Sequence, residues 1–385
     1  MKTVPDKVVR FGVIGVGGMG QDHCKSIRDI EEAKLAAVCD HDAATGEKAG
    51  KEFHVPFFTS HKQLIRAKLC DAVLVATPHP LRPEIAVDCA NAGLHILSEK
   101  PLSERVSTAD KMIAVARRNN IVLGVDLPLR TEPEIVSAIE FVRGGGLGRV
   151  KRCVMILPKY RSQAYYDAGG WRGTWRGEGG GVMMNQSSHV LDLFILLGGM
   201  PRRVLGRAAT RLHHIEVEDL AEAILEYPGG GTGYFYCSTN EAGPGEMIEI
   251  FGDAGKLCYR DGKLTLFRFE PPIAEFTRNN QQMWGSPKCT ELPVKIKDRK
   301  GSGYANIIRN FARHILFGDK LFAPGEEGLW SLELANAVYL SAHQGKPVDL
   351  PINRKAYDRF LAKMRKESTF RKNVIVDKRE TDPNN

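Results

Sequence analysis

The chain lacks any pair of cysteines in C-x-x-C spacing. Its eight cysteines, Cys24, Cys39, Cys70, Cys89, Cys153, Cys237, Cys258 and Cys289, are scattered, several inside apolar segments. That argues against a disulfide frame and against a cysteine metal site, and predicts reduced thiols in a cytoplasmic protein. No apolar run is long enough to cross a bilayer, so no membrane partner is expected. Met1–Lys7 is polar and reads as no secretory leader. The net charge is +8, yet no dense basic block with interleaved aromatics occurs, and part of the excess lies in Arg354–Lys378. Nucleic acid is therefore not an expected partner. A solvated basic surface accounts for the charge, with a modest pull on anionic ligands. No internal repeat is visible. With 385 residues, 43% hydrophobic and 26% charged, the chain reads as globular, with about two or three domains.

What is present begins at residue 10. Arg10-Phe-Gly-Val-Ile-Gly-Val-Gly-Gly-Met-Gly20 places Gly15, Gly17 and Gly20 in G-x-G-x-x-G spacing after an apolar strand-like run. Gln21–Ile30 can form a helix, and a second apolar run, Leu35–Cys39, ends at Asp40. The first glycine permits a tight turn, the second a close backbone approach to a pyrophosphate, and the third close helix–strand packing. Strand, glycines, helix, strand and acid in that order specify a dinucleotide site. Its expected cradle is Gly15, Val16, Gly17, Gly18, Met19 and Gly20. Asp40 can accept from a ribose 2′-hydroxyl and would repel a 2′-phosphate, which favours NAD over NADP. His41 and Lys48 are the nearest cations and form no arginine clamp.

Strand and helix patterns alternate through residue 125. The expected strands are Val8–Ile14, Leu35–Asp40, Asp71–Thr77, His95–Ser98 and Ile121–Val125. The expected helices are Gln21–Ile30, Ala43–Phe53, Pro83–Ala92 and Ser107–Asn119. Such alternation means a parallel sheet covered on both faces, with ligands beyond the carboxyl ends of its strands. The loops Gly15–Gly20, Thr77–Pro83 and Glu99–Ser103 are therefore candidate site loops, with Thr77, Pro78, His79, Glu99 and Lys100 toward the cofactor. A helix over Pro133–Arg143 ends at glycines. Strand-like runs then follow: Val150–Leu157, Val204–Arg211, Leu220–Tyr227, Gly233–Ser238, Met247–Gly252 and Leu264–Phe269, with a hairpin turn at Pro228–Gly231. Helices are expected over Val182–Leu197, Asn306–Phe317 and Glu326–Gln344.

The fold class is thus α/β followed by α+β. Residues 1–126 form a dinucleotide-binding domain of the Rossmann type. Residues 127–372 form a domain with a mostly antiparallel open sheet and flanking helices, those near 304–364 returning to the first domain. Residues 373–385 read as a polar, disordered tail.

Two constellations carry chemistry. Lys100, in Ser98-Glu99-Lys100-Pro101, follows a parallel strand. Burial beside a positive nicotinamide would lower its pKa into a useful range, although a lysine in that place, taken alone, is usually a solvated surface group. Asn185, His189 and Asp192 fall on one face of the expected 182–197 helix. His189 with an amide could bind a hydroxyl and take its proton, or it could be a satisfied core histidine with Asp192 as a structural partner. No third ligand supports a metal there, and none is expected.

Together these pieces resemble the Gfo/Idh/MocA family of nicotinamide-dependent oxidoreductases, from Val8 to about Leu361. The resemblance rests on Gly15–Gly20, Asp40, Glu99-Lys100-Pro101, and the glycine-rich segment leading to Asn185 and His189. It rests also on Leu329–Leu340 with Gly345-Lys-Pro-Val-Asp-Leu-Pro351. It implies Lys100 as catalytic lysine, often followed by a cis proline bond, and His189 as a second acid/base. The Asn185–Gln186 pair, with Arg161, Tyr165, Trp171 and Arg172, resembles a branch acting on sugars and glycosides. Asn185 and Arg172 would orient substrate hydroxyls.

One segment departs from the family pattern. In Gly124-Val-Asp-Leu-Pro-Leu-Arg130, Pro128 and Leu129 stand where amides are usual and only Arg130 stays. Either Asp126 takes over a cleft contact or the nicotinamide pocket differs. The resemblance implies NAD-dependent oxidation, or the reverse reduction, of a ring hydroxyl, C3, of a sugar or glycoside. It also leaves open a glycosidase or lyase that keeps NAD bound, and a non-catalytic sensor, which would need no paired proton donor and acceptor. It implies a homodimer or homotetramer through the open sheet face.

Overall fold

The computed structural model describes residues 7–294, 296 and 303–372, so the expected tail lies outside the described residues. The first unit runs β1 (Val9–Ile14), α1 (Gly18–Arg28), β2 (Ala33–Cys39), α2 (Ala43–Phe53), β3 (Phe57–Phe58), α3 (His61–Ala67), β4 (Ala72–Val75), α4 (Arg82–Asn91), β5 (His95–Ser98), α5 (Val106–Arg118) and β6 (Leu123–Val125). All pairings within it are parallel, in the order β3-β2-β1-β4-β5-β6. The order reverses between β1 and β4, and the crevice beyond their carboxyl ends is where such sheets bind ligands. β1, β2 and β4 are nearly continuous buried apolar runs, as a sheet covered on both faces requires. α2 starts where it does because the Asp42 carboxylate accepts from the N–H groups of Ala44 and Thr45.

The second unit opens with α6 (Pro133–Arg143), β7 (Val150–Pro158), α7 (Gln163–Asp167) and α8 (Ser188–Gly198). There follow β8 (Arg203–Ala209), β9 (Leu220–Glu226), β10 (Thr232–Ser238), β11 (Met247–Gly252), β12 (Gly255–Arg260), β13 (Lys263–Glu270), α9 (Ile273–Asn279) and β14 (Lys288–Leu292). It closes with α10 (Gly303–Phe317), α11 (Leu329–Gln344), β15 (Val348–Asp349) and α12 (Arg354–Glu367). Nine strands form one sheet, ordered β14-β13-β12-β11-β7-β10-β9-β8-β15, antiparallel except for the β7–β10 pair. The expected hairpin is present: Tyr227 N–H donates to Gly231 O between β9 and β10. One sheet face buries Met155, Leu157, Ala223, Leu225, Phe235 and Ile250, while α8 and α11 pack on the sheet. The other face leaves Leu205 and Ile224 exposed.

The carboxyl-terminal helices return to the first sheet. Phe311 of α10 meets Phe11 of β1 at 6.2 Å, and Asn336 of α11 accepts from Val106 N at the start of α5. From α12, Asp358 accepts from Ser107, and Arg354 donates to Asp110. These contacts seat the nine-stranded sheet against the nucleotide sheet and fix the cleft between them.

The helix expected over Val182–Leu197 is shorter than its pattern. α8 begins at Ser188. The reason is the backbone pairing: Ser187 N–H donates to Val182 O, five residues back, where a helix would bond four back. Glu218 holds the segment in place, its carboxylate accepting from Gly181 N at 2.9 Å and Met183 N at 3.0 Å, and its carbonyl from Val182 N. Residues 182–187 are therefore turns. Asn185 precedes the helix instead of sharing a helical face with His189. Trp284, in the loop after α9, is 91% exposed.

Candidate active site

The glycine loop has the shape its sequence requires. Gly15 sits at φ +90°, and a Cβ on it would lie 2.9 Å from the Ala76 backbone. A Cβ on Gly20 would lie 1.9 Å from Gly15 O, so only glycine lets α1 begin against β1. The Asp40 carboxylate is buried under the loop, accepting from Val16 N at 3.0 Å and Asp42 N at 3.0 Å. His41 beside it is exposed, with Nδ1 3.3 Å from that carboxylate. A tight glycine turn, the free start of α1 and an acid at the end of β2 fit a dinucleotide bearing a free ribose 2′-hydroxyl.

The loops after β4 and β5 are tied together by a residue that belongs to no sequence motif. Arg82 is buried and donates to Thr77 O at 2.8 Å, Glu99 O at 3.1 Å and Pro101 O at 2.5 Å. Pro78 leads into a short 3-10 turn, and His79 within it is buried against the second unit. One His79 ring nitrogen is 2.9 Å from Glu178 O, and Trp171 meets the ring edge-on at 5.8 Å. The Lys100–Pro101 bond is cis.

Lys100 bridges the two units. Its Nζ donates to Asn185 O at 3.2 Å, at the turn that feeds α8. Burial pulls its pKa below the usual lysine value, with Arg82 adding to the effect and Glu99 opposing it. His189 stands in the first turn of α8, and burial, helped by the Lys100 charge, pushes its pKa down to about 3. Its imidazole is therefore neutral at physiological pH. Asn185 donates from Nδ2 to Tyr165 Oη at 3.2 Å and to Glu178 Oε1 at 2.5 Å. Gln186 donates to the same Tyr165 oxygen at 2.9 Å. With two donors on its oxygen, Tyr165 keeps its own proton to give. Arg172 stacks over Tyr165 at 4.5 Å and Trp171 at 5.1 Å, and Arg161 over Tyr165 at 5.2 Å.

Two buried acids complete the floor. Glu178 accepts from Gly173 N and Asn185, and burial raises its pKa to about 7. Its only sequence signal is that it is the one acid in Gly177-Glu-Gly-Gly-Gly181. Asp126 is fully buried, not open to a cleft as a substrate contact would be. It lies 3.4 Å from His23 Nε2, which also holds Glu99 at 2.8 Å. Burial raises Asp126 to about 7. For Glu99 burial acts upward too, but the bonded His23 and nearby cations outweigh it and hold the carboxylate ionised. Arg130, the remnant of the family pattern, points away into a buried bidentate pair with Asp192, at 2.7 and 2.6 Å. Asp192 is thus a structural partner, of Arg130 and not of His189.

Among the described residues, His189 Nδ1, Gln186 Oε1, Arg172 Nε and Thr77 Oγ1 are buried polar atoms without hydrogen-bond partners. They come from both units, and a polar ligand is one way to satisfy such atoms.

Comparison with known proteins agrees. Residues 9–127 match the oxidoreductase family with an NAD-binding Rossmann fold, and residues 135–258 match the GFO/IDH/MocA C-terminal domain. The chain belongs to the Gfo/Idh/MocA oxidoreductase family. Its cofactor is NAD. D-apiose dehydrogenase of Paraburkholderia graminis is 25% identical over 90% of this chain and 91% of that one. Myo-inositol 2-dehydrogenase of Thermotoga maritima is 24% identical over 89% and 98%. Among solved structures, the WlbA dehydrogenase of Chromobacterium violaceum, in complex with NADH and UDP-GlcNAcA, has a TM-score of 0.79. It is 27% identical, over 91% of this chain and 98% of that one. Levoglucosan dehydrogenase in complex with NADH and levoglucosan shares the fold at a TM-score of 0.75 and 20% identity. Among the described residues no helix is long and apolar enough to cross a membrane, and all eight cysteines are free, six of them buried.

Proposed function

We propose that the chain is a cytoplasmic sugar dehydrogenase that oxidises a ring hydroxyl, at C3, of a sugar or glycoside. The observation that carries this reading is the Lys100 hydrogen bond to Asn185 O, which brings the lysine of the cofactor sheet to the turn that presents His189. D-apiose and inositol dehydrogenases among the relatives support a polyhydroxylated substrate. Residues 1–126 serve as the cofactor unit and 127–372 as the substrate unit.

NAD, when bound along the glycine loop, supplies the hydride acceptor. The residues do the rest. Lys100, already depressed by burial, is depressed further by a neighbouring positive charge, which favours its free-amine form. Its Nζ takes the hydroxyl proton. His189 stays neutral and donates to the same hydroxyl oxygen, leaving the O–H directed at the Lys100 amine. Asn185, Tyr165 and Arg172 orient the neighbouring hydroxyls, and the Trp171 ring packs on an apolar sugar face. Asp126 and Glu99 set the charge beneath Lys100 without touching substrate. The exposed sheet face, where Leu205, Ile224 and Tyr234 form one cross-strand row, is the proposed surface of a homodimer or homotetramer. The test is incubation with NAD and a panel of sugars and aryl glycosides. NADH with a 3-keto product and no cleavage is expected. Aglycone release without NADH build-up would overturn the reading.

A further inference from the structure

Arg82 stands where local structure does not favour it. It opens α4, and a positive charge at a helix N-terminus opposes the helix dipole. Its side chain is also buried, where a charge needs partners. Its hydrogen bonds go to backbone carbonyls. Nε donates to Thr77 O in the loop after β4. Nη1 donates to Glu99 O and Pro101 O, the carbonyls of the residues on either side of Lys100. Burial lowers the Arg82 pKa to about 10, with Glu99 acting against it, so the guanidinium stays charged at neutral pH.

That charge acts on the Lys100 amine. Among the groups that face Lys100, Glu99, Asp126 and Glu178 favour the ammonium form, and Arg82 opposes it. His79 and His189 face it too, and burial keeps both neutral near pH 7. Arg82 is thus the fixed cation set against three acids.

Resting on the reading that Lys100 is the base, we propose that Arg82 is its positioning residue. The guanidinium fork pins the backbone on both sides of Lys100 to the loop after β4 and holds a fixed positive charge near the amine. Like charges repel, so that charge favours the free amine the reaction needs. A lysine in its place would keep the charge and lose the planar fork that spans both loops.

The test titrates Lys100 directly, in the full-length protein with NAD added, and needs no substrate. Lysine labelled with carbon-13 at its ε carbon reports the titration by NMR, and Lys100→Met assigns the resonance. Arg82→Met should raise the Lys100 midpoint by about one pH unit, while Arg82→Lys should leave it within about 0.3 unit of the wild type. An unmoved midpoint in Arg82→Met, or an equal rise in both variants, would overturn the proposal. A second arm measures kcat and KM for NAD reduction with D-glucose, D-galactose and their aryl β-glycosides. Arg82→Lys should lower kcat about tenfold with a smaller change in KM, because the fork that places Lys100 is gone. A wild-type kcat in Arg82→Lys would overturn the pinning role, and this arm decides the matter if Arg82→Met does not fold. No turnover by the wild type with any of these sugars would count against the dehydrogenase reading, while the titration still judges Arg82.

Discussion

At the scale of single residues, the account rests on Lys100. Replacing it by methionine keeps its bulk and removes the base. Lys100→Met should lower kcat by about 10²–10⁴-fold, the usual contribution of a positioned general base, with NADH affinity by fluorescence titration nearly unchanged. Because burial depresses the Lys100 pKa, wild-type kcat/KM for oxidation should rise with pH along a limb centred below the ordinary lysine value, a limb the Met variant lacks. Glu178 gives a second, independent readout. Its folded pKa of about 7 lies above its ordinary value of 4.5. A raised carboxylic pKa contributes stability below pH 4.5 that is lost as pH rises through 7. Glu178→Gln should therefore gain on the wild type by about 3 kcal/mol between those limits, by urea unfolding at each pH. Opposite pH effects from His189 cancel in that difference. Glu178 was legible in the sequence only as an acid among glycines, because its role depends on Asn185 and Gly173, which local pattern does not bring together.

At the scale of elements, α8 is held from beneath. Arg130, in the turn after β6, pairs with Asp192 one helical turn past His189 and also bonds Phe322 O at 3.0 Å and Glu327. Breaking one side leaves a buried, unpaired charge. Arg130→Met should cost about 3–5 kcal/mol in unfolding free energy, and the double replacement Arg130→Met/Asp192→Leu should recover most of it. If both single and double variants matched the wild type, α8 would be anchored in some other way. The same helix shows where pattern reading fails. Its period continues back to Val182, yet Ser187 N–H bonds Val182 O five residues back while Glu218 holds the backbone of 181–183, and the helix begins only at Ser188. By contrast α2, α6, β5 and β11 lie where their local patterns put them, because caps, glycines and proline act within a few residues. Short or two-sided elements carry no such local signal: β3, α3, α7, β12, α9, β14 and β15. α12 was absorbed into a basic stretch, although Tyr357, Phe360 and Leu361 mark its buried face.

At the scale of the whole molecule, the cofactor half was the legible half. Gly15–Gly20, Asp40 and Glu99-Lys100-Pro101 are local motifs whose chemistry fixes their spacing. The proposed substrate half draws on Tyr165, Trp171, Arg172, Glu178 and Asn185, whose meeting depends on long-range packing. The open sheet face makes a prediction of its own. Ile224→Glu places a charge, and like charges in the symmetry mates, at the centre of the proposed interface. Light scattering should find the wild type as a dimer or tetramer and the variant as a smaller species, whereas a monomeric wild type would refute the assembly. The central claim is that a ring C3 hydrogen leaves to NAD while Lys100 takes the hydroxyl proton. The most direct measurement is mass spectrometry of the reduced cofactor after turnover of a sugar deuterated at C3. The account predicts one deuterium in the reduced cofactor and a 3-keto sugar. Unlabelled NADH with deuterium retained at C3 would contradict it.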